Sequence, residues 1–172
     1  MSDIAQGLGM SKKTLYTHFA DKEDLLMTCL DKAFVEFFER ANTIRENNIN
    51  PIDAILAIYR LVVNDLCDYC SAFMYDARRL YYTSQHNSVF RKQLDEAYIL
   101  PLLQSAREQQ LIHSEVNDSM FCTVVYYMVE GFLFDSNLGK QSDKDLIYRH
   151  VILLPVRGIL AKQYAAQYGE PV

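Results

Sequence analysis

The chain has 172 residues, of which 50% are hydrophobic, 23% charged and 12% aromatic, with only six glycines and four prolines. That composition excludes a collagen-like, low-complexity or disordered polypeptide, and the size suits one domain or a compact domain carrying a small module. A net charge of −5 excludes a protein that coats nucleic acid over its whole surface, so any contact with DNA must come from a local patch.

Few breakers over this length predict long helices, and no segment alternates with period two, so the expected fold class is all-α with no sheet. A short helix runs from about Asp3 to Leu8, with Ser2 as its cap and Gly9 suited to the left-handed residue that ends it. Ser11 caps a second helix through Phe19. Asp21 caps a third, with Asp24 placed to reach back at its third position. Leu25, Leu26, Cys29, Leu30, Ala33, Phe34, Phe37, Phe38 and Ala41 give that third helix one wide apolar stripe. Asn50-Pro51 opens a helix that is apolar nearly all round to Cys70 and is therefore expected to be buried all round. Three more helices are expected: from about Ser88 to Gln110 with a kink at Pro101, from Asp118 to about Asp135, and from Asp143 to about Tyr168 with a kink at Pro155.

Helix, glycine turn, helix and a third helix start over residues 3–26 is the layout of a helix-turn-helix. On a wheel of the second helix, Leu15 marks the buried side with Ser11 and Phe19. Lys13 and Thr17 lie opposite, flanked by Thr14 and His18 on one edge and by Lys12 and Tyr16 on the other. No acid falls between Asp3 and Asp21, so an acidic chain carries a local cationic, donor-rich face. Such a face suits a DNA groove. Lysines neutralise phosphates, hydroxyls bond phosphate oxygens, and the small threonines allow approach to base edges. Lys22, at the start of the next helix, is placed to hold the backbone beside a helix N-terminus.

The residues Ile4-Ala5, Leu8-Gly9, Ser11, Thr14, Leu15-Tyr16, His18-Phe19, Lys22 and Leu25-Leu26 make this segment resemble the DNA-binding signature of TetR/AcrR-family transcriptional regulators. The resemblance implies an all-helical homodimer that binds a palindromic double-stranded operator and is released, as most such proteins are, when a small molecule fills a C-terminal pocket. It implies a DNA-binding part with its linking helix over residues 1–45 and a ligand-binding and dimerisation part over 46–172. Lys12, Lys13, Thr14, Tyr16, Thr17 and His18 would face DNA, Lys22 would take a phosphate, and Leu15 and Phe19 would pack inward. The helix from Lys22 to about Ile44 would link pocket to reader, and the last two long helices would form a four-helix bundle with a second copy. The family's DNA-binding part has three helices, and this sequence starts at the second. The expectation is therefore of an incomplete three-helix unit.

The rest of the chain carries no catalytic pattern, so the chain reads as a non-enzyme. Cys67-Asp68-Tyr69-Cys70 lacks a second ligand pair or a strand context, and reads as two small helix residues rather than a zinc or redox site. Cys29 and Cys122 read as core. His86, His113 and His150 are scattered, so neither metal nor cofactor is expected. Four cysteines, no apolar run of ~18 residues and no signal-peptide core read as a cytoplasmic protein without a membrane partner. Tyr59, Val63, Leu66, Tyr69, Tyr81, Leu102, Tyr126, Tyr127 and Met128 are the expected walls of a pocket for a largely apolar effector, each with ordinary core as the alternative. Glu130 is either an outward-facing residue or a carboxylate that recognises a ligand. The alternative function is a dimeric, small-molecule-binding helical protein without DNA activity.

Overall fold

The computed structural model describes residues 1–68, 73, 76, 86–134 and 143–168. Its elements follow the capping signals at Ser11, Asp21 and Asn50, but Ser2, expected as the first cap, is the first residue of the first helix, and Met1 at the cap position makes no side-chain bond. Helix α1 (Ser2–Gly7) ends in paired hydrogen bonds, Gly9 N–H to the Gln6 carbonyl at 3.1 Å and Met10 N–H to the Ala5 carbonyl at 3.0 Å. Gly9 sits at φ 65°, the left-handed conformation such a helix end requires. Helix α2 (Lys12–His18) starts where Ser11 Oγ accepts from Thr14 N–H at 3.0 Å. Helix α3 (Lys22–Asn47) starts where Asp21 accepts from Asp24 N–H at 2.9 Å, and Asp24 reaches back to accept from Ala20 N–H at 2.8 Å. Twenty-six residues make α3 about 39 Å long at ~1.5 Å each.

Asn50 Oδ1 accepts from Ile52 N–H at 2.8 Å and Pro51 occupies the first turn of α4 (Pro51–Asp68). Half of α4 is fully enclosed: Ile52, Ala54, Ile55, Leu56, Ile58, Tyr59, Val62 and Val63 are all buried. It is the axis of the larger half, and α3, α6, α7 and the C-terminal helices pack around it. The expected continuation of α4 to Cys70 lies outside the described residues.

The two proline sites do something other than bend a regular helix. Helix α5 (His86–Leu94) passes into a π-helical turn (Asp95–Ile99) and then α6 (Leu100–Glu108), with Pro101 at its start. After α7 (Asp118–Phe134), α8 (Lys144–Ile147) passes into a second π turn (Tyr148–Leu153) and α9 (Leu154–Ile159), with Pro155 in the same place. A proline ring collides with the carbonyl four residues back and supplies no N–H. A widened turn just before it removes the collision while the helix continues. The carbonyl four residues before Pro101 is that of Ala97 in the π turn; the proline has no N–H to give it, and Arg45 of α3 donates to it at 3.2 Å.

The last helix is shorter than expected. It stops at Ile159, Leu160 turns extended, and α10 (Lys162–Ala165) and a 3₁₀ turn (Ala166–Tyr168) follow. The cause is a tertiary pairing: His113 N–H donates to the Ile159 carbonyl and Ala161 N–H to the Leu111 carbonyl, each at 2.9 Å, in an isolated antiparallel bridge. Those bonds take up the Ile159 carbonyl and the Ala161 N–H, while the Leu160 N–H still donates to the Arg157 carbonyl at 3.2 Å and closes the helix. Arg107 holds the other side of that loop. It donates to the carbonyls of His113, Ser114 and Val116 and pairs with Asp118 at the start of α7.

Most buried side chains form one core under α3 to α9, with Ile55, Ile58, Ile99, Leu103, Val125, Ile152 and Val156 at its centre. A small separate cluster on the N-terminal half of α3 holds Leu26 and Leu30, with Met27, Phe34 and Phe73 against it. Cys122 is buried, but Cys29, read as core from the stripe, is exposed. The buried line on α3 runs through Leu26, Leu30, Phe37, Phe38 and Ala41, and Cys29 falls beside it.

Candidate nucleic-acid interface

Leu15 is the one buried residue of α2, at 2% exposure, and it fixes which way the helix faces. Lys12, Lys13, Thr14, Tyr16, Thr17 and His18 all point to the surface, as the wheel requires, and Phe19 is half-buried. Tyr16 leaves 46% of its surface open, and the Lys12 ammonium lies 5.8 Å from its ring centroid. That cation–π contact holds two DNA-suited groups one turn apart.

The two threonines are less free than the sequence suggests. Thr14 Oγ1 is hydrogen-bonded to Ser11 Oγ at 2.8 Å, and Thr17 Oγ1 donates back to the Thr14 carbonyl at 2.6 Å. Thr17 therefore offers its methyl group and oxygen lone pairs outward, not its proton. The outward donors of the face are Lys12, Lys13, Tyr16 and His18. Lys22 stands at the first turn of α3, where its ammonium pairs with the Asp76 carboxylate. Asp76 follows α4 in the chain, and sequence reasoning had no way to bring it to residue 22.

The residues expected to line a pocket stand in different surroundings. Tyr59 and Val63 are buried in α4, while Leu66, Leu102, Tyr126 and Glu130 are half-buried. Tyr127 and Met128 face outward on α7 at 60% and 38% exposure. Tyr69 and Tyr81 lie outside the described residues. Tyr126 Oη donates to Glu130 Oε1 at 3.3 Å, one turn along α7.

A polar chain missed in the sequence crosses this half. Tyr59 of α4, Cys122 of α7 and Asp95 of the first π turn lie close enough to act on one another's charge. Burial pushes the Tyr59 phenol well above its ordinary range and the Cys122 thiol up to about 12. Burial also raises Asp95, against the pull of Arg91. Arg91 donates to Thr123 Oγ1 at 2.8 Å, sits 3.5 Å from Asp95 and stacks 4.3 Å from the Tyr126 ring centroid. The only sequence signal for it is the four-residue spacing of Arg91 and Asp95. Among the described residues no group of three or more His, Cys, Asp or Glu side chains is placed to hold a metal, and no helix is long and apolar enough to cross a membrane.

Residues 1–28 match the family model of bacterial regulatory proteins of the tetR family. The matched segment is the one whose residue pattern resembles that family's DNA-binding signature. The whole chain shares its all-helical fold with solved regulators. The ketosteroid transcriptional regulator KstR2 of Mycobacterium tuberculosis superposes with a TM-score of 0.74 at 17% identity, over 94% of this chain and 84% of that one. A structure described as the molecular basis for control of antibiotic production by bacterial hormones gives 0.71 at 18%, over 93% and 86%. A gamma-butyrolactone receptor (ArpA-like protein) gives 0.65 at 18%, over 98% and 81%. A comparison with curated proteins finds no match. The chain thus shares with these proteins an all-helical fold, a short N-terminal helix-turn-helix followed by a larger helical part.

Proposed function

We propose that this chain is a cytoplasmic, homodimeric, ligand-released repressor that grips a palindromic operator through α2 and the first turn of α3. The observation that supports this best is the α2 face. In a chain of net charge −5, two lysines, a phenol and an imidazole stand outward around one buried leucine, on a helix fixed by a serine cap and a glycine turn. Lys12, Lys13 and Lys22 take phosphates, and Thr14, Tyr16, Thr17 and His18 face the groove.

Dimerisation is supported by an apolar strip that the chain itself leaves open. Met120, Val124, Tyr127 and Met128 on α7 are exposed, as are Leu146 on α8 and Leu154 on α9. The α7 residues recur at helical spacing, and a Cβ built at Gly131 or Gly158 meets nothing within 4 Å. A strip of this kind serves as an interface in a soluble protein. Tyr127 and Met128 belong to it rather than to a cavity. The effector is read as largely apolar, because the C-terminal half around α4 and α7 is apolar and two of the similar structures are named for a ketosteroid and for gamma-butyrolactone. Tyr59, Val63, Leu66, Leu102 and Glu130 remain the proposed pocket residues.

Phosphate contacts are independent of sequence, so duplex DNA of mixed sequence is an adequate probe. Fluorescence anisotropy across about 50 to 200 mM salt should show affinity falling steeply, with each phosphate contact adding about −0.9 to the slope. Lys13→Gln should weaken binding and flatten the slope by about that amount while the circular dichroism spectrum stays unchanged. A parent chain that dimerises but ignores the duplex would favour a ligand-binding protein without DNA activity.

A further inference from the structure

We propose that Asp76 is a built-in competitor for the phosphate-binding ammonium of Lys22, so that the ligand-binding half restrains the grip on DNA through one direct contact. This rests on the reading of Lys22 as a phosphate contact. The two residues are 54 positions apart, and their ion pair joins the first turn of α3 to the helical residues that follow α4. Asp76 is not there by chance of a floppy surface chain. Phe73, three residues earlier and also helical, packs with Leu26, Leu30, Met27 and Phe34 in the separate cluster on the N-terminal half of α3. Residues three apart share a helix face, so Phe73 seats the turn that delivers the Asp76 carboxylate to Lys22.

An ammonium held by a carboxylate cannot give its full charge to a phosphate. Bringing the phosphate up also sets two anions side by side around one cation, which is unfavourable at these distances. The side chains of Lys22 and Asp76 are 54% and 33% exposed. The pair is therefore solvent-screened, and its removal changes binding modestly, about two- to fivefold. Other interelement ion pairs, Arg40–Asp65 between α3 and α4 and Lys144–Asp68 between α8 and α4, include none of the proposed DNA-contacting residues and supply controls of equal charge change.

The experiment measures binding of the full chain to the mixed-sequence duplex by anisotropy. Asp76→Asn should tighten binding about two- to fivefold and steepen the salt dependence. Lys22→Gln should weaken binding and flatten the slope by about 0.9. In the Lys22→Gln background, Asp76→Asn should do nothing, and Asp68→Asn should not reproduce the gain in the parent. An Asp76→Asn chain that binds no tighter than the parent would overturn the competition and leave the DNA-binding reading intact. So would a gain that persists without Lys22, or one that Asp68→Asn matches, since each marks a general charge effect. A parent that does not bind the duplex at all would overturn both.

Discussion

Replacing Arg45 by methionine tests how the linking helix is fastened to the first π turn. Arg45 Nη1 donates to the Ala97 carbonyl at 3.2 Å, and its guanidinium lies 5.3 Å from the Tyr98 ring centroid. Tyr98 in turn donates to Asn42 Oδ1 at 3.1 Å and stacks on Phe38, so three residues of α3 meet this turn. Arg45 is exposed, so the low end of each magnitude applies. A charge-assisted hydrogen bond and an exposed cation–π contact together contribute about 1–2 kcal/mol. Methionine keeps the apolar stem and removes both. For a chain of this size that is a fall in Tm of about 3–6 °C, measured by calorimetry at fixed protomer concentration. The reasoning makes a second demand. Ala97 needs an outside donor because Pro101 withholds its own. In a Pro101→Ala background the backbone N–H returns, and Arg45→Met should cost about half as much or less. A cost below about 0.5 kcal/mol in the parent, the range of an ordinary surface substitution, would refute the account. So would an equal cost in both backgrounds.

Gly9 at φ 65° tolerates no side chain without strain, so Gly9→Ala should destabilise the chain by about 1 kcal/mol and weaken duplex binding further, because the turn aims α2. Hydrogen exchange should show the loss confined to residues 2–18. Cys29 is exposed whereas Cys122 is buried with its thiol pushed up to about 12. Mass-resolved alkylation of the native chain at neutral pH should therefore label Cys29 quickly and leave Cys122 unmodified until the chain unfolds. The Arg60 guanidinium holds the Asp145 carboxyl below its ordinary range. A depressed carboxyl stabilises the fold above its unfolded pKa, and that contribution is lost as pH falls through the folded value. Carbon NMR titration should show Asp145 returning to the ordinary carboxylate range in Arg60→Gln, with the variant's stability then less sensitive to acid than the parent's.

The local features of this protein are set by its sequence. Ser11, Asp21 and Asn50 start helices because a short side-chain oxygen bonds the free N–H groups of a first turn, and Gly9 ends one because it alone adopts the left-handed turn cheaply. An apolar run that goes nearly all round marked α4 as a buried helix, and the wheel placed Lys12, Lys13, Tyr16 and His18 on the open side of α2, because composition and a 3.6-residue repeat are local properties. What needed the tertiary structure involves residues far apart in the chain. The end of the last helix at Ile159 is decided by the pairing of Leu160 with Ile112, which outbids continued helix by exchanging two backbone bonds. The π turn before Pro101 is met by Arg45, which satisfies the Ala97 carbonyl from another helix. The outward placement of Tyr127 and Met128 depends on which side of a uniformly apolar α7 finds α4, and a helix apolar all round has no period to reveal it. The pairing of Lys22 with Asp76 likewise exists only because Phe73 docks on α3, a contact between segments that no local pattern connects.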